Sequence, residues 1–179
     1  MKQISWQDRI PGDVGLVRGD GLLSDLIVDF VSELHEDYVE QFIPSHAFIL
    51  GFDDMIIEAS LTSMAAIRPC TEYENLPVQI WRIERTPDQI AKGISAYIEQ
   101  YNPAGYGLLD LLGFAIEAVL QHLGNPKARN PILFGYVCSM VVLSFLRYPS
   151  SEKWPLTADL RNCDPLALLM MFQAAQVMA

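Results

Sequence analysis

Apolar and polar positions change period several times along this chain, and each change marks an element. Val14 to Arg18 is a β-branched run set between Pro11-Gly12-Asp13 and Gly19-Asp20-Gly21, the pattern of a strand between two turns. After Ser24, apolar residues recur at Leu26, Ile27, Phe30, Val31 and Leu34. That i, i+3, i+4 spacing predicts a helix from about Asp25 to Glu40, capped by Ser24. Its other face is acidic, with His35 lying among Glu33, Glu36 and Asp37. Phe42 to Leu50 and Met55 to Ser60 are apolar runs around the polar turn Gly51-Phe52-Asp53-Asp54, which reads as a β-hairpin. Val78 to Glu84 alternates apolar and polar residues and predicts a further strand.

Helical periods dominate the rest. Thr86-Pro87-Asp88-Gln89 supplies an N-cap, a proline at the first helical position and a glutamine at the third, a capping box that opens a helix running to about Tyr101. Gly107 to Leu123 is the next helix, with Asp110, Glu117 and Gln121 on one face and apolar residues elsewhere. Ile132 to Arg147 is apolar nearly all round, which describes a helix through the middle of a core. Asp164-Pro165 caps a last apolar helix, Pro165 to Val177. The pattern therefore predicts an α+β fold, an antiparallel sheet of about four to six strands packed against helices. No repeat or linker-like cluster interrupts it, and a length of 179 residues suits one domain, 1–179.

Charge narrows the function classes. With 22 acidic against 12 basic residues, a net charge of −10 and no cluster of Lys or Arg, the long-range field repels nucleic acid and anionic lipid. A membrane hairpin is the rival reading of the helices Gly107–Leu123 and Ile132–Arg147, whose connecting loop carries Lys127 and Arg129. Both stretches fall short of the roughly 20 apolar residues a span requires, and the first contains Asp110 and Glu117, so no membrane insertion is expected. The amino terminus lacks the apolar run of a signal peptide, which makes a cytoplasmic location the default expectation. Cys70, Cys138 and Cys163 fit no paired motif and are expected as free thiols. Without C-x-x-C, H-x-x-x-H or H-E-x-x-H, neither a metal site nor a cofactor is expected.

Thiol catalysis needs a thiolate, a base to form it and a third group that fixes the imidazole tautomer. Cys138 follows Phe134-Gly135-Tyr136, a glycine-containing break, and leads into Ser139-Met140-Val141-Val142. A regular helix beginning there would favour a negative charge on the sulfur through its amino-terminal amides. Taken alone, Cys138 reads more simply as a core residue, because free cysteine is among the most buried residue types. His46 heads the run Ala47-Phe48-Ile49-Leu50, so a strand would hold it rigidly. A hairpin centred near Phe52 sets His46 opposite Glu58 on the same face. Glu58 lies inside Met55-Ile56-Ile57-Glu58-Ala59, where an unpaired charge would be costly, and pairing with His46 removes that cost. Cys70 and Cys163 read as structural. His35, on an acidic helix face, and His122, near a helix carboxyl end, need no catalytic explanation.

Together Pro11-Gly12-Asp13-Val14, Leu23-Ser24-Asp25-Leu26-Ile27, Ser45-His46-Ala47-Phe48-Ile49-Leu50, Ile56-Ile57-Glu58-Ala59 and Cys138-Ser139-Met140-Val141-Val142 resemble the circularly permuted NlpC/P60 papain-like family. The order of histidine, acid, then cysteine is the permuted one. The resemblance spans about residues 10 to 147 and implies a papain-like fold with Cys138 as nucleophile at the start of a central helix, His46 as base and Glu58 as the polar third member. It also implies Tyr106 as a substrate-binding tyrosine, although the usual Tyr-Asp-Tyr pattern is present only as Tyr101-Asn102-Pro103-Ala104-Gly105-Tyr106-Gly107. The implied activity is hydrolysis or acyl transfer at an amide or ester bond of a peptide cross-link or acyl conjugate, through an acyl-enzyme. The competing reading is a catalytically silent papain-like binding or assembly module. Its partner surface would be the apolar carboxyl-terminal helix, Leu166-Ala167-Leu168-Leu169-Met170-Met171-Phe172, and apolar helices of this kind would also suit a homo-oligomer.

Overall fold

Among the described residues six strands form one antiparallel sheet, ordered β1-β6-β2-β3-β4-β5. They are β1 (Lys2–Ile4), β2 (Val14–Val17), β3 (His46–Leu50), β4 (Met55–Ser60), β5 (Ser63–Pro69) and β6 (Val78–Arg82). A computed structural model of the chain describes residues 1–35, 38, 41–60, 63–101, 138–147 and 163–177. Its α-helices are α1 (Leu22–Leu34), α2 (Pro87–Tyr101), α3 (Cys138–Arg147) and α4 (Pro165–Val177). Short 3-10 turns cover Trp6–Asp8 and Cys70–Tyr73. The fold is thus α+β, as the periodicity predicts. The helix Gly107–Leu123 and the first part of Ile132–Arg147 lie outside the described residues.

The sheet buries apolar side chains on both faces, because successive residues of a strand point to opposite sides. Leu16, Ala47, Ile49, Ile57 and Trp81 join the helices in the larger core cluster. Val17, Phe48, Leu50, Ile56 and Ile80 form a second cluster with Cys70, and Trp6, Tyr73 and Leu76 pack against it. The central strands β2 and β3 are therefore buried almost throughout. Helix α3 packs on β3 and β4 and touches α2 and α4. Arg85 secures its carboxyl end by donating from Nη1 to the Phe145 carbonyl at 3.0 Å and from Nη2 to that of Leu146. In α4, Leu166, Leu168, Leu169 and Phe172 are fully buried, and Phe172 meets Trp81 at 5.7 Å between ring centroids. Most of the apolar face that would suit a partner is thus spent inside the protein.

Local chemistry explains the element ends. Thr86 and Gln89 form the reciprocal capping box, with Gln89 Oε1 accepting from the Thr86 amide at 2.9 Å and Thr86 Oγ1 from the Gln89 amide at 3.3 Å. Asp164 Oδ1 accepts from the Ala167 amide at 2.8 Å and caps α4. Gly12 holds φ +89°, and a Cβ there would meet Ile90 at 2.7 Å, so glycine is required. Beside it, buried Asp13 takes a two-pronged contact from Arg82 (Nε to Oδ1 3.1 Å, Nη2 to Oδ2 2.9 Å) and a 2.8 Å bond from the Ile10 amide. This ties the turn before β2 to the end of β6.

Three local expectations are corrected. Ser24 does not cap α1, which starts at Leu22 after Gly21; Ser24 Oγ bonds the Gly19 carbonyl at 2.9 Å and Ser45 Oγ at 2.6 Å, fastening the helix to the approach to β3. The helix closes at Leu34, with His35 as its C-cap. The β3–β4 hairpin is centred on Asp53 rather than Phe52: the Gly51 amide bonds the Met55 carbonyl at 2.8 Å, and Ile49 pairs with Ile57. Asp53 and Asp54 both take positive φ, near 56° and 54°, a conformation aspartate tolerates better than most residues. Moving the centre by one residue moves the pairing by two and leaves every side chain on its predicted face. His46 and Glu58 are diagonal neighbours on one face, not directly opposed.

Candidate functional site

His46 is the first residue of β3, with its side chain 19 % exposed, and Glu58 lies near the end of β4, 4 % exposed. Diagonal residues on one face of an antiparallel pair are within reach of long side chains. Here His46 Nε2 and Glu58 Oε2 are 2.9 Å apart. A register irregularity in the β4–β5 pairing falls between Glu58 and Ser60, the kind of local departure that re-aims side chains beside functional sites.

Glu58 has two further partners. Tyr73, from the 3-10 turn after β5, donates its hydroxyl to the same Oε2 at 2.6 Å. Arg68, on β5, places Nε 3.2 Å from Oε1 and Nη1 3.3 Å from Glu72. Phe48 holds the Tyr73 ring by stacking on it, with centroids 5.0 Å apart and planes 10° from parallel. Burial pushes the Glu58 pKa up, but it is outweighed by the hydrogen bond and charge of His46, then by Tyr73 and Arg68, and the net shift is downward. Glu58 is consequently a carboxylate whose two oxygens are both engaged.

Cys138, on α3, is 3 % exposed and belongs to the larger core cluster. Burial opposes a charge on His46. The charge of Cys138 and its side-chain hydrogen bond to His46, followed by the hydrogen bond and charge of Glu58, overcome that and raise the His46 pKa from 6.5 to about 10. Because Nε2 faces Glu58, the ring atom left for Cys138 is Nδ1. The Tyr73 hydroxyl pKa is raised by burial first, then by the charge and hydrogen bond of Glu58 and the charge of Cys138, so this hydroxyl stays protonated and donates. Cys138 thus lies close enough to influence the imidazole that Glu58 holds. Tyr106 lies outside the described residues.

Cys70 and Cys163 are buried, with other surroundings. Arg9 Nη2 donates to Cys70 Sγ at 3.3 Å, and Cys163 Sγ lies 3.8 Å from the Asp164 carbonyl oxygen. Among the described residues, no three His, Cys, Asp or Glu side chains converge closely enough to hold a metal ion. No helix among them is long and apolar enough to cross a membrane.

Sequence reasoning passed over Tyr73, Arg68 and the His35–Asp164 pair. His35 Nε2 lies 2.9 Å from Asp164 Oδ2, a contact between α1 and the cap of α4 that its acidic neighbours on α1 give no sign of. Arg68 had a readable signal. Once Ser63–Pro69 is taken as a strand after β4, Arg68 falls opposite Ile56 and diagonal to Glu58 on one face. Tyr73 had none, since a 3-10 turn has no period long enough to read.

Searches against protein-family models, curated proteins and solved structures give no match for this chain.

Proposed function

We propose that the chain is a thiol-dependent hydrolase or acyltransferase of the permuted NlpC/P60 papain-like class, acting on an amide or ester bond through Cys138, His46 and Glu58. The reading rests on His46, whose Nε2 lies 2.9 Å from Glu58 Oε2 and whose pKa Cys138 and Glu58 together raise. A cysteine merely filling the core has no need of such a partner. The antiparallel sheet with α3 laid across β3 and β4, and the order His46, Glu58, Cys138, support the papain-like assignment.

In the proposed reaction the imidazole, whose raised pKa keeps it protonated in the neutral range, already holds the Cys138 proton on Nδ1, and the sulfur attacks the carbonyl carbon, forming a C–S bond and a tetrahedral oxyanion. The Cys138 backbone N–H is a candidate donor to that oxyanion. Collapse breaks the C–N or C–O bond, and His46 returns its proton to the leaving group. Water, or an acceptor amine or alcohol, then attacks the thioester with His46 as base and frees the thiol. Glu58 keeps Nε2 protonated and the ring oriented throughout. Tyr106 is the proposed substrate contact, and the substrate class is a peptide cross-link or acyl conjugate.

One observation favours the silent-module reading, which is the 3 % exposure of Cys138. Labelling with iodoacetamide, followed by turnover assays on peptide, ester and acyl-amide substrates, separates the two. The enzyme reading requires labelling concentrated on Cys138 and turnover abolished in Cys138→Ala. Labelling spread over Cys70 and Cys163, or undiminished turnover in Cys138→Ala, overturns it.

A further inference from the structure

We propose that Tyr73 is the positioning residue of this site, its hydroxyl fixing Glu58 as the oriented, ionised acceptor for His46 while Arg68 holds the other carboxylate oxygen. The inference deepens the thiol reading and rests on it for its catalytic meaning.

The geometry is specific. Tyr73 Oη and His46 Nε2 meet the same oxygen, Oε2, at 2.6 and 2.9 Å, so the tyrosine sets where on the carboxylate the imidazole bonds. Arg68 Nε, 3.2 Å from Oε1, blocks rotation about the carboxyl axis from the opposite side. A carboxylate held by one donor alone could swing away from His46; held on both oxygens it cannot without breaking a charge-assisted bond. Bonds to an ion are the stronger kind, and a 2.6 Å O–H···O⁻ contact lies in their range.

Tyr73 suits the task because it does not ionise in the neutral range and because its ring is fixed independently of its hydroxyl. The ring stacks on Phe48, whose own ring lies over Gly15 with no Cβ to displace it. The hydroxyl is thus aimed by packing that Tyr73→Phe preserves. Among the described residues, the charged or titratable groups facing this cluster are His46 from β3, Arg68 from β5, Glu72 from the 3-10 turn and Cys138 from α3.

The test uses the full chain and the variant Tyr73→Phe, with two readouts. Carbon-13 detection of the Glu58 carboxyl follows its titration directly. In Tyr73→Phe the Glu58 midpoint should rise by about one pH unit, the size expected for losing one hydrogen bond to a charged group. Alkylation of Cys138 by iodoacetamide at about pH 6 should slow at least threefold or so as the imidazole loses its fixed partner. Arg68→Gln should raise the same midpoint, which shows that the carboxylate answers to its donors. An unchanged Glu58 midpoint in Tyr73→Phe, with the midpoint moving in Arg68→Gln, overturns the proposal. Failure of the thiol reading looks different: Cys138 of the unaltered protein would then alkylate no faster than Cys70 or Cys163, whatever Glu58 does.

Discussion

Gly15 on β2 and Phe48 on β3 are paired across the ladder, and the Phe48 ring occupies the space beside Gly15 so closely that a Cβ there would lie 2.0 Å from Cζ. That approach lets the ring lie flat against the sheet and stack on Tyr73. Gly15→Ala should therefore destabilise the protein by about 1–3 kcal/mol, the usual cost of overpacking. Chemical denaturation measures it. In a Phe48→Leu background the same substitution should cost at least about 0.5 kcal/mol less, since residues in contact couple. An equal cost in both backgrounds would contradict the packing.

His35 and Asp164 join the end of α1 to the cap of α4 at 2.9 Å, with the Asp164 side chain 8 % exposed. The hydrogen bond to Asp164 raises the His35 pKa against the opposing effect of burial, and the charge of Asp164 adds to the rise. The folded state therefore holds this proton where the unfolded chain has lost it. The pair's stabilisation is fully present below the unfolded value of 6.5 and is lost as pH rises through the higher folded value. Thermal melts across this window should show stability falling with pH more steeply in the unaltered protein than in His35→Gln. Parallel slopes would remove the assignment.

Arg85 is expected to matter through the helix it ends. Its guanidinium bonds the carbonyls of Phe145 and Leu146 and lies 4.9 Å from the Phe145 ring centroid. A cation there satisfies carbonyls that have no partner within the helix and complements its dipole. Arg85→Met keeps much of the side-chain stem and should cost about 1–2 kcal/mol in a denaturant titration. Arg85→Lys should recover only part, because an ammonium does not reproduce the fork. A neutral Arg85→Met would contradict this role.

Much of the sheet and the central pair were legible in the sequence because period-2 alternation fixes faces even when the register is misjudged. The hairpin centre is Asp53 and not Phe52, yet His46 and Glu58 keep the same face, so a carboxylate–imidazole pair survives the error. The capping box at Thr86 and the cap at Asp164 were legible for a local reason, since their partners lie three residues away. What alternation does not carry is the edge and the turn. Lys2–Ile4 is too short to show a period and becomes a strand only by pairing with β6. Ser24 illustrates the opposite failure: its type fits a cap, but Ser45, distant in sequence, supplies a better partner, and the helix starts three residues earlier, at Leu22. Tyr73 and His35 acquire their meaning from contacts with Glu58 and Asp164 made across the fold.

The protonation of the His46 imidazole answers to Glu58 and Cys138 at once, so it reports on the proposed thiol–imidazole pair. Its titration, followed by NMR in the unaltered protein and in Cys138→Ala, should give a midpoint near 10 in the first. In the second, the charge and hydrogen bond of Cys138 are gone while burial still opposes the proton, and the midpoint should fall by at least about one pH unit. A midpoint near 6.5 in the unaltered protein, or the same value in both, would contradict a thiol–imidazole pair at this site.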